Sequence, residues 1–432
     1  MTRVLVLGAY GMIGRAVTRD LLDRGHHVTG FGRSIREARR TFPGLDWFIH
    51  DMAHMTIPAD WFPYLRGIDV VVNAAGALQD GPQDDLTAIH ATSVAALAEA
   101  CATHGTALVQ ISAAGVTPDA TTHFFRSKAA GDAAIHASGC QFHILRPGLV
   151  LSDTAYGGTA LLRMLAAVPV IQPLAMADAP VQTIGTRDLA RAVAACIDGT
   201  IPPGTIADLV EDHPHTLSEI VAAMRAWLGF QPSRATIPAP RWLLRLTAKG
   251  ADALGALGWR SPLRSTALAT LESGVLGDPA PWRAAGGPPI ANLHDTLAAM
   301  PARSEDRLAA AMRLAMPFTL ATLAHFWALS GLIGLVQLTP AAAILTAQGW
   351  PLWTAQLSVA AWAVADIALA LGLLWRRTAR GAALGMVAVS LAYLALGTLI
   401  TPALWADPLG PLLKILPGAM LALIAVPMLE SR

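Results

Sequence analysis

Residues 4–14, which read VLVLGAYGMIG, decide the fold because they join an apolar run to a glycine-rich turn. The apolar run predicts a buried strand, and a helix is expected from the turn to about Arg24. Gly8 permits the tight turn, Gly11 lets backbone approach a pyrophosphate, and Gly14 lets the helix pack closely on the strand. The helix N-terminus offers N–H groups and a partial positive charge to the anion.

Glycines at this spacing also suit an ordinary turn, but the elements around them favour a nucleotide site. A second strand predicted at His27–Phe31 completes a βαβ unit. We therefore predict that the turn binds a dinucleotide through Gly8, Tyr10, Gly11, Met12, Ile13 and Gly14.

Strands and helices alternate through the first 150 residues. Continuous apolar runs such as residues 70–72 indicate strands buried on both faces. Helical patterns lie at Leu86–His104 and Thr122–Ala137. The pattern predicts an α/β fold with a doubly wound parallel sheet. Its strands are expected at Val4–Leu7, His27–Phe31, Trp47–Ile49, Asp69–Asn73, Ala107–Ile111 and Phe142–Leu145.

The composition points to a membrane region. Of 432 residues, 54% are hydrophobic and only 14% are charged, against about a quarter charged in typical soluble domains. A net charge of +1 gives no basic field for nucleic acid. The three cysteines are far apart and lack metal-ligand spacing, so buried thiols in a reducing compartment are expected. We expect no signal peptide, because Met1 leads almost directly into a strand.

The end of the second strand indicates which cofactor is preferred. NAD sites place an acidic residue there to hold the ribose hydroxyls, but this chain has Arg33 and Ser34. A guanidinium suits the 2′-phosphate of NADP, and Ser34 adds a donor. NADP is therefore favoured over NAD, although Arg33 also suits a solvated surface.

Several spaced motifs carry a family resemblance: GAYGMIG at 8–14, HDM around Asp51, NAAG at 73–76, ISAAG at 111–115, FFRSKAAGD at 124–132 and LRPG at 145–148. Together they resemble the atypical short-chain dehydrogenase/reductases, similar to the complex I accessory subunit and to NmrA-like sensors. The resemblance covers residues 1–275. It implies that Asp51 and Met52 flank the adenine, that Ala74, Ala75 and Gly76 line the ribose, and that Pro147 and Gly148 approach the nicotinamide.

The chain departs from this family at the reacting position. Such reductases use a Tyr-x-x-x-Lys pair on one helix face, with a serine that orients the carbonyl. Ser112 and Lys128 match that serine and lysine as catalytic residues, and Lys128 would also bind the nicotinamide ribose. The tyrosine position is Phe124, which has no proton to give. The nearby substitutes are His123, Arg126 and Tyr156.

The region from about residue 150 to 275 is expected to cap the active site. A helix is predicted from Gly157 to about Val168, a short strand at Thr183–Thr186 and a helix at Asp188–Ile197. Thr216 and Glu219 form a capping-box pattern. The amphipathic stretch Arg241–Trp259 is either a packed lid helix or a helix at the bilayer surface; its cations are Arg241, Arg245, Lys249 and Arg260.

Residues 276–312, including the Pro- and Gly-rich stretch 277–289, are expected to form a linker and juxtamembrane segment. Residues 313–432 are expected to form an all-α bundle of four transmembrane helices, each near the ~20 residues that a span requires. The predicted spans are Leu314–Leu338, Leu352–Trp375, Gly381–Leu404 and Leu409–Leu429. Tryptophans near their ends, at Trp350, Trp353, Trp375 and Trp405, suit membrane interfaces.

Cations predict the orientation of these spans. They precede the first span and lie between the second and third, whereas the other two connections contain none. The positive-inside rule then places both termini and the N-terminal domain on the cytoplasmic side of the inner membrane. The cations are Arg303, Arg307, Arg313, Arg376, Arg377, Arg380 and Arg432.

Polar residues within the spans are few: His325, Asp366, Tyr393 and Lys414. Intramembrane ionisable groups tend to pair inside the bundle, so a contact of His325 with Asp366 is expected, for chemistry or only to hold helices together. The segment is similar to the DoxX-like four-helix membrane family, some of whose members are linked to quinone or sulfur redox chemistry.

Three functions remain open. The first is a membrane-anchored NADP(H) oxidoreductase acting on a lipophilic, quinone-like substrate at the cytoplasmic membrane face. The second is a non-catalytic NADP(H) redox sensor or assembly factor with a membrane protein partner. The third is a sugar-nucleotide epimerase or dehydratase, which the missing tyrosine disfavours.

Overall fold

The computed structural model describes residues 1–81, 84–259 and 274–430, and they divide into two compact units. The first unit runs from Met1 to Asp252 and resumes after the gap to Arg307. The second holds residues 253–259 and those from Leu308 onward. Arg260 and Arg432, two of the cations noted above, lie outside the described residues.

The first unit is built on one sheet of seven parallel strands in the order β11-β6-β5-β4-β1-β2-β3. Buried apolar side chains from both faces of these strands form two core clusters, as the continuous apolar runs predict. The strands are β1 Arg3–Leu7, β2 His27–Gly32, β3 Asp46–Ile49, β4 Val70–Asn73, β5 Ala107–Ile111, β6 Phe142–Pro147 and β11 Ile206–Leu209.

The strand order reverses between β1 and β4. Both strands pair directly, with Leu7 opposite Asn73 at their carboxyl ends. In a doubly wound sheet this reversal opens a crevice at the carboxyl ends of the strands, where ligands bind. The predicted doubly wound parallel fold is confirmed, and the chain segments after Leu7 and Asn73 line that crevice.

Helices cover both faces of the sheet. A π-helical turn at Ala88–Thr92 precedes α4, where the sequence predicts one helix from Leu86. The helices up to residue 298, of which α9 ends inside the second unit, are α1 Met12–Asp23, α2 Ile35–Thr41, α3 Pro58–Leu65, α4 Ser93–His104, α5 His123–Ala137, α6 Gly157–Ala166, α7 Thr186–Ile197, α8 Leu217–Trp227, α9 Arg241–Ala256, α10 Ala280–Ala284 and α11 Leu293–Ala298.

Residues 149–238 contain short strands in two-stranded pairs beside α6 to α8. At the start of α8, Thr216 and Glu219 form the predicted capping box. The short strands are β7 Leu149–Leu151, β8 Ile171–Leu174, β9 Pro180–Val181, β10 Thr183–Gly185, β12 His215–Thr216 and β13 Ala235–Pro238.

Residues 277–289, for which the sequence predicts a linker, pack onto the first unit instead. Trp282 is buried in the core beside α7, and its indole Nε1 donates to the Pro288 carbonyl at 2.9 Å. Leu293 and Leu297 of α11 are buried as well. The proline and glycine content therefore marks irregular backbone, and the apolar side chains between decide that the segment folds against the domain.

The second unit is helical, with α12 Ser304–Val336, α13 Leu338–Thr346, α14 Leu352–Leu374, α15 Ala379–Ile400 and α16 Ile415–Glu430. By length and apolar composition three of the described helices suffice to cross a membrane, namely α12, α14 and α15. The fourth predicted span is shorter, since α16 has 16 residues. Residues 409–414 form turns in which Gly410 has a φ of +57° and Pro411 offers no N–H.

The predicted contact between His325 and Asp366 is not present among the described residues. His325 donates through Nδ1 to the Ala321 carbonyl of its own helix at 2.8 Å, whereas Asp366 accepts from Ser330 Oγ at 3.1 Å. His325 and Ser330 are five residues apart on α12, so they point in different directions. Of these two side chains, it is Ser330 that contacts α14.

The other polar residues of the spans also have defined surroundings. The ring of Tyr393 lies 5.1 Å from that of Trp362, and Lys414 is exposed in the turns before α16. The three cysteines of the first unit, Cys101, Cys140 and Cys196, are buried free thiols, as predicted.

Candidate functional site

The glycine turn after β1 is built for close backbone approach. Gly8 has a φ of +70°, and a Cβ there would lie 2.9 Å from the Ala75 Cα. A Cβ on Gly14 would lie 2.2 Å from the Gly8 carbonyl oxygen, and one on Gly11 would lie 3.0 Å from the same atom. Side chains at these positions would therefore push the turn, the helix and the β4 loop apart.

The N-terminus of α1 points its N–H groups into this turn. Gly11 is the N-cap residue, and among the described residues no side chain caps it and no acidic residue lies in the first turn. Met12 and Ile13 open the helix, with Ile13 packed against the core. Unclaimed N–H groups and the helix dipole attract an anion. The donors and the space fit the pyrophosphate of a dinucleotide.

The loop after β4 forms the opposite wall of the crevice. Asn73 is buried, donates through Nδ2 to Gln110 Oε1 at 2.8 Å and accepts at Oδ1 from the Ala75 N–H at 3.2 Å. The Ala74 N–H donates to the Leu7 carbonyl at 3.2 Å. These bonds hold residues 74–76 beside Gly8, where the resemblance expects the cofactor ribose.

Arg33 lies at the end of β2 between two carboxylates. Its Nη2 is 2.9 Å from Asp84 Oδ1, and its Nη1 is 3.8 Å from Asp51 Oδ2. Its backbone N–H donates to the Tyr10 hydroxyl at 3.0 Å. Arg33 is thus an ordered part of the crevice rim, but its guanidinium is paired with Asp84, a partner that the sequence motifs do not reveal.

The residues around Arg33 make hydrogen bonds and packing contacts within the protein. The Ser34 hydroxyl accepts from the Glu37 N–H at 3.4 Å and caps α2. The Tyr10 ring lies against Gly32, where a Cβ would be 2.3 Å from Tyr10 Cε1. Asp51 accepts from the Ala53 N–H at 3.0 Å, whereas the Met52 side chain is buried in the core. Tyr10 and Asp51 therefore line the rim, and Met52 supports it from below.

Lys128 is a buried cation at the centre of the site. Its Nζ donates to the Ile111 carbonyl at 3.0 Å and lies 5.7 Å from the centre of the Phe124 ring. Burial lowers the pKa of Lys128 to about 8, and the charge of Asp132 partly opposes this shift. An ammonium has three protons, and the Ile111 carbonyl uses one of them.

Ser112 is turned toward a carboxylate. Its Oγ donates to Asp132 Oδ2 at 2.9 Å, and Arg146 donates to the same oxygen from Nε and Nη2 at 3.1 and 3.0 Å. Burial raises the pKa of Asp132, and Arg146 opposes that effect. With its single proton given to Asp132, Ser112 cannot also donate to a substrate carbonyl in this arrangement.

Phe124 occupies the first turn of α5, one helical turn before Lys128. It packs near Phe125 at 5.3 Å between ring centres and meets the edge of His90 at 5.6 Å. The substitution is therefore accommodated by an aromatic cluster. It leaves no hydroxyl at the position where the resemblance expects the proton donor.

His90 is a site residue that the motifs do not identify. It lies on the π-helical turn, is 2% exposed, accepts at Nε2 from the Ala77 N–H at 3.2 Å and bonds through Nδ1 to Ser127 Oγ at 3.0 Å. Burial, then the charges of Lys128 and His123, hold its pKa well below the usual value. Because Nε2 accepts, Nδ1 carries the proton and the ring is neutral. A single histidine within a helical pattern does not predict such a buried, neutral ring.

The three substitute acids do not converge on Lys128. His123 bonds to Asp80 at 3.0 Å and to Thr87 at 3.1 Å on the exposed rim. Arg126 donates to the Ala120 and Thr121 carbonyls, and Tyr156 is 58% exposed beside α6. Each has a surface or loop-holding role.

Pro147 and Gly148 end β6 at the same edge of the sheet. The Pro147 carbonyl accepts from the Ala114 N–H at 2.9 Å. A Cβ on Gly148 would lie 2.5 Å from the Gln182 carbonyl oxygen, so close strand packing requires a glycine there.

A cavity of about 270 Å³ lies elsewhere, at the amino ends of β4 and β5 next to Asp69 and Ala107. It is therefore separate from the glycine turn.

Comparison with known proteins agrees with this geometry. Residues 8–198 match the NAD(P)H-binding family, and residues 324–425 match the DoxX-like family. No curated protein matches the chain in sequence.

Solved structures share the fold of the first unit. The Bordetella bronchiseptica enzyme WbmH, solved with NAD+, is 19% identical with a TM-score of 0.52 and covers 69% of this chain and 97% of its own. A putative epimerase from Burkholderia cenocepacia is 19% identical with a TM-score of 0.52, and the match covers 71% of this chain and 98% of the epimerase. The NADPH-dependent quinone oxidoreductase QOR2 of Escherichia coli, solved with NADPH, is 17% identical with a TM-score of 0.52. The match covers 68% of this chain and 99% of QOR2.

The sheet order, the glycine turn and both family matches lead to one assignment. The DoxX-like region and the three long apolar helices indicate membrane association. The seven-stranded parallel sheet and the glycine turn form a Rossmann fold in the part of the chain that matches the NAD(P)H-binding family, and the C-terminal part matches the DoxX-like family.

Proposed function

We propose that the chain is a membrane-anchored, NADP(H)-dependent oxidoreductase that reduces a lipophilic, quinone-like substrate at the cytoplasmic membrane face. The observation that carries the proposal is Phe124 beside Lys128: the glycine turn leaves the clearance that a cofactor needs, whereas the position at which the resemblance expects a tyrosine has no hydroxyl. The substrate must therefore be one whose reduction does not need that donor.

Substrate chemistry decides which acceptors meet this condition. Bound NADPH would supply a hydride. An ordinary ketone that accepts a hydride becomes an alkoxide, which requires an acid at the moment of transfer. A quinone becomes a phenolate, whose pKa is ~10 like that of tyrosine, so solvent can supply the proton afterwards. A site with Phe124 at the tyrosine position suits the quinone better than the ketone.

The chain's own residues then have binding and positioning roles. Lys128 would hold the nicotinamide ribose and place a positive charge near the developing anion. Ser112 would help to keep Asp132 and Arg146 in place and would not contact substrate. His90, neutral and bonded on both ring nitrogens, would hold the backbone of Ala77 and the first turn of α5.

NADP(H) is the proposed cofactor because β2 ends in Arg33 and Ser34 without a carboxylate of its own. A 2′-phosphate there would bind Arg33 in competition with Asp84. The ion pair with Asp84 therefore weakens the preference for NADP over NAD that Arg33 provides. NAD is the less favoured alternative.

The membrane region supports a lipophilic substrate. Linking a soluble site to a bilayer raises the local concentration of a membrane-dissolved substrate. The arginines around α12 and between α14 and α15 favour a cytoplasmic position for the first unit. The Escherichia coli neighbour is named as an NADPH-dependent quinone oxidoreductase, and the likeness of its fold to the first unit is consistent with the proposal.

The test is NADPH oxidation by the full chain in lipid nanodiscs, with and without a short-chain quinone. The proposal expects quinone-dependent oxidation that Lys128→Met weakens through a higher KM for NADPH. Quinone-independent rates, or a rate that Lys128→Met and Gly11→Val leave unchanged, would contradict it.

A redox sensor is the second candidate, favoured by the same Phe124 and by the engaged hydroxyl of Ser112. In that case NADPH binds with the same residues and no quinone is reduced. Binding measured by tryptophan fluorescence without turnover would therefore favour the sensor. An epimerase or dehydratase is the third and is disfavoured, because Phe124 cannot exchange a proton with a sugar hydroxyl.

A further inference from the structure

Helix α9 carries large apolar side chains on its exposed side, opposite its buried residues. Trp242, Leu243, Leu246 and Leu254 are 67%, 41%, 61% and 41% exposed. Their spacing of three, four and eight residues places them on one side of the helix. We call these four side chains the apolar face.

The opposite side of α9 already has its packing partners. Ala248 and Ala251 are buried at 5% and 8% exposure, and they lie on the other side of the helix from Leu246. The apolar face is therefore not the side by which α9 is packed. Large apolar side chains grouped on a surface mark a site that contacts another phase or molecule.

Two cations border the apolar face. Arg245 and Lys249 are exposed and four residues apart, so they form a row along one flank of the helix. An apolar stripe carrying a tryptophan, flanked by a row of cations, is the pattern of helices that lie in the plane of a membrane interface. The cations would meet the phosphates of anionic lipids.

The chain that follows α9 is held at the end of α14, a helix that is long and apolar enough to cross a membrane. The indole Nε1 of Trp259 donates to the Leu374 carbonyl at 2.6 Å, and the Arg376 N–H donates to the Leu257 carbonyl at 3.1 Å. The Arg376 guanidinium lies 5.6 Å from the Trp259 ring centre. Leu374 is the last residue of α14, so the segment after α9 is anchored where a predicted span ends.

The geometry points to an anionic phospholipid bilayer as the occupant of the apolar face. The face would insert at the boundary between head groups and acyl chains, and Arg245 and Lys249 would bind lipid phosphates. Continuity with the end of α14 favours lipid over a protein partner, because the end of a helix that spans a membrane would lie at the depth of the head groups. This inference concerns a surface and does not depend on the proposed reaction.

The test is spin-label accessibility of the full chain in nanodiscs that contain phosphatidylglycerol. Leu246→Cys carries the label on the apolar face, and labelling is selective because the three native cysteines are buried. Arg36→Cys, at a position 88% exposed on the first unit, gives the aqueous reference. Leu391→Cys, 58% exposed on α15, gives the lipid reference.

The inference expects the Leu246 label to collide with oxygen more often than the Arg36 label and less often than the Leu391 label, and to collide several-fold less often than the Arg36 label with a water-soluble nickel reagent. Adding Arg245→Gln and Lys249→Gln should reduce that protection in phosphatidylglycerol and not in pure phosphatidylcholine. A Leu246 label as open to nickel as the Arg36 label overturns the inference. Protection from both reagents also overturns it, because a second copy or another protein then covers the face.

Discussion

The cofactor edge and the predicted reacting position lie at the same end of one sheet, but only the cofactor edge carries the residue types that the family resemblance expects. At the cofactor edge, Gly8, Gly11 and Gly14 leave the backbone clearance that a pyrophosphate needs. At the predicted reacting position, Phe124 stands where the resemblance expects the proton donor, and Ser112 is bonded to Asp132. The residues expected for cofactor binding and those expected for proton transfer are thus different residues, and only the second group departs from the expected types.

The largest expected effect is at the cofactor edge. Gly11→Val would place a branched side chain where backbone must approach the phosphates, and its Cβ would lie 3.0 Å from the Gly8 carbonyl oxygen. NADPH affinity should fall by at least about a hundredfold, by titration calorimetry. Gly44→Val is the matched control, because a Cβ at Gly44 meets no heavy atom within 4 Å. Wild-type affinity in a folded Gly11→Val protein would mean that the site lies elsewhere.

The second effect separates the two cofactors. Arg33→Ala should lower NADPH affinity about ten- to a hundredfold, because a charge-assisted hydrogen bond contributes about 1.5–3 kcal/mol. NADH affinity should change little, since NADH has no 2′-phosphate. Equal losses for both cofactors would show that Arg33 supports the rim through Asp84 and Asp51 instead of reading the phosphate.

The third effect links the cofactor edge to the reacting position through Lys128. Its folded-state pKa of about 8 lies below the usual lysine value, so the ammonium is lost as pH rises through about 8. NADPH affinity should therefore fall about tenfold from about pH 7 to about pH 9, since a hydrogen bond to a charged group contributes about 1.5–3 kcal/mol. Lys128→Met should bind more weakly at the lower pH and show no such fall. A wild-type affinity that is flat over this range would contradict the role of Lys128.

The smallest effect concerns the carboxylate that competes for Arg33. Asp84→Asn removes the partner 2.9 Å from the guanidinium and should raise NADPH affinity about two- to fivefold, the range of a partly exposed ion pair. In an Arg33→Ala background the same change should have no effect. An equal gain in both backgrounds would mean that Asp84 acts on the phosphate directly and not through Arg33.

Sequence patterns predict this molecule well where the determinant is local. The six strands from β1 to β6, the glycine turn and the Thr216 capping box each follow from neighbouring residues, and all are present. The partners of Arg33, Ser112 and Asp366 could not be predicted, because Asp84, Asp132 and Ser330 are separated from them by 20 to 51 residues along the chain. Such pairs depend on how elements pack.

Two further differences between the sequence predictions and the structure also depend on features that average composition does not show. The proline-rich segment 277–289 folds onto the domain because Trp282 fits its core, which composition alone does not reveal. The predicted fourth span starts late, because turns at residues 409–414 interrupt an otherwise apolar stretch. Average apolarity identifies a membrane region, whereas turn residues decide where each helix begins.

Phe124→Tyr restores a hydroxyl one helical turn before Lys128 and so separates quinone reduction from ketone reduction. The measurement is kcat/KM for NADPH oxidation in nanodiscs with a short-chain quinone and with an aliphatic ketone. The wild type should reduce the quinone and not the ketone. Phe124→Tyr should raise ketone reduction by about a hundredfold, the scale of one general acid, while quinone reduction stays nearly unchanged. A wild type that reduces the ketone as fast as the quinone, or a Lys128→Met variant that keeps full quinone reduction, would contradict the proposed reaction.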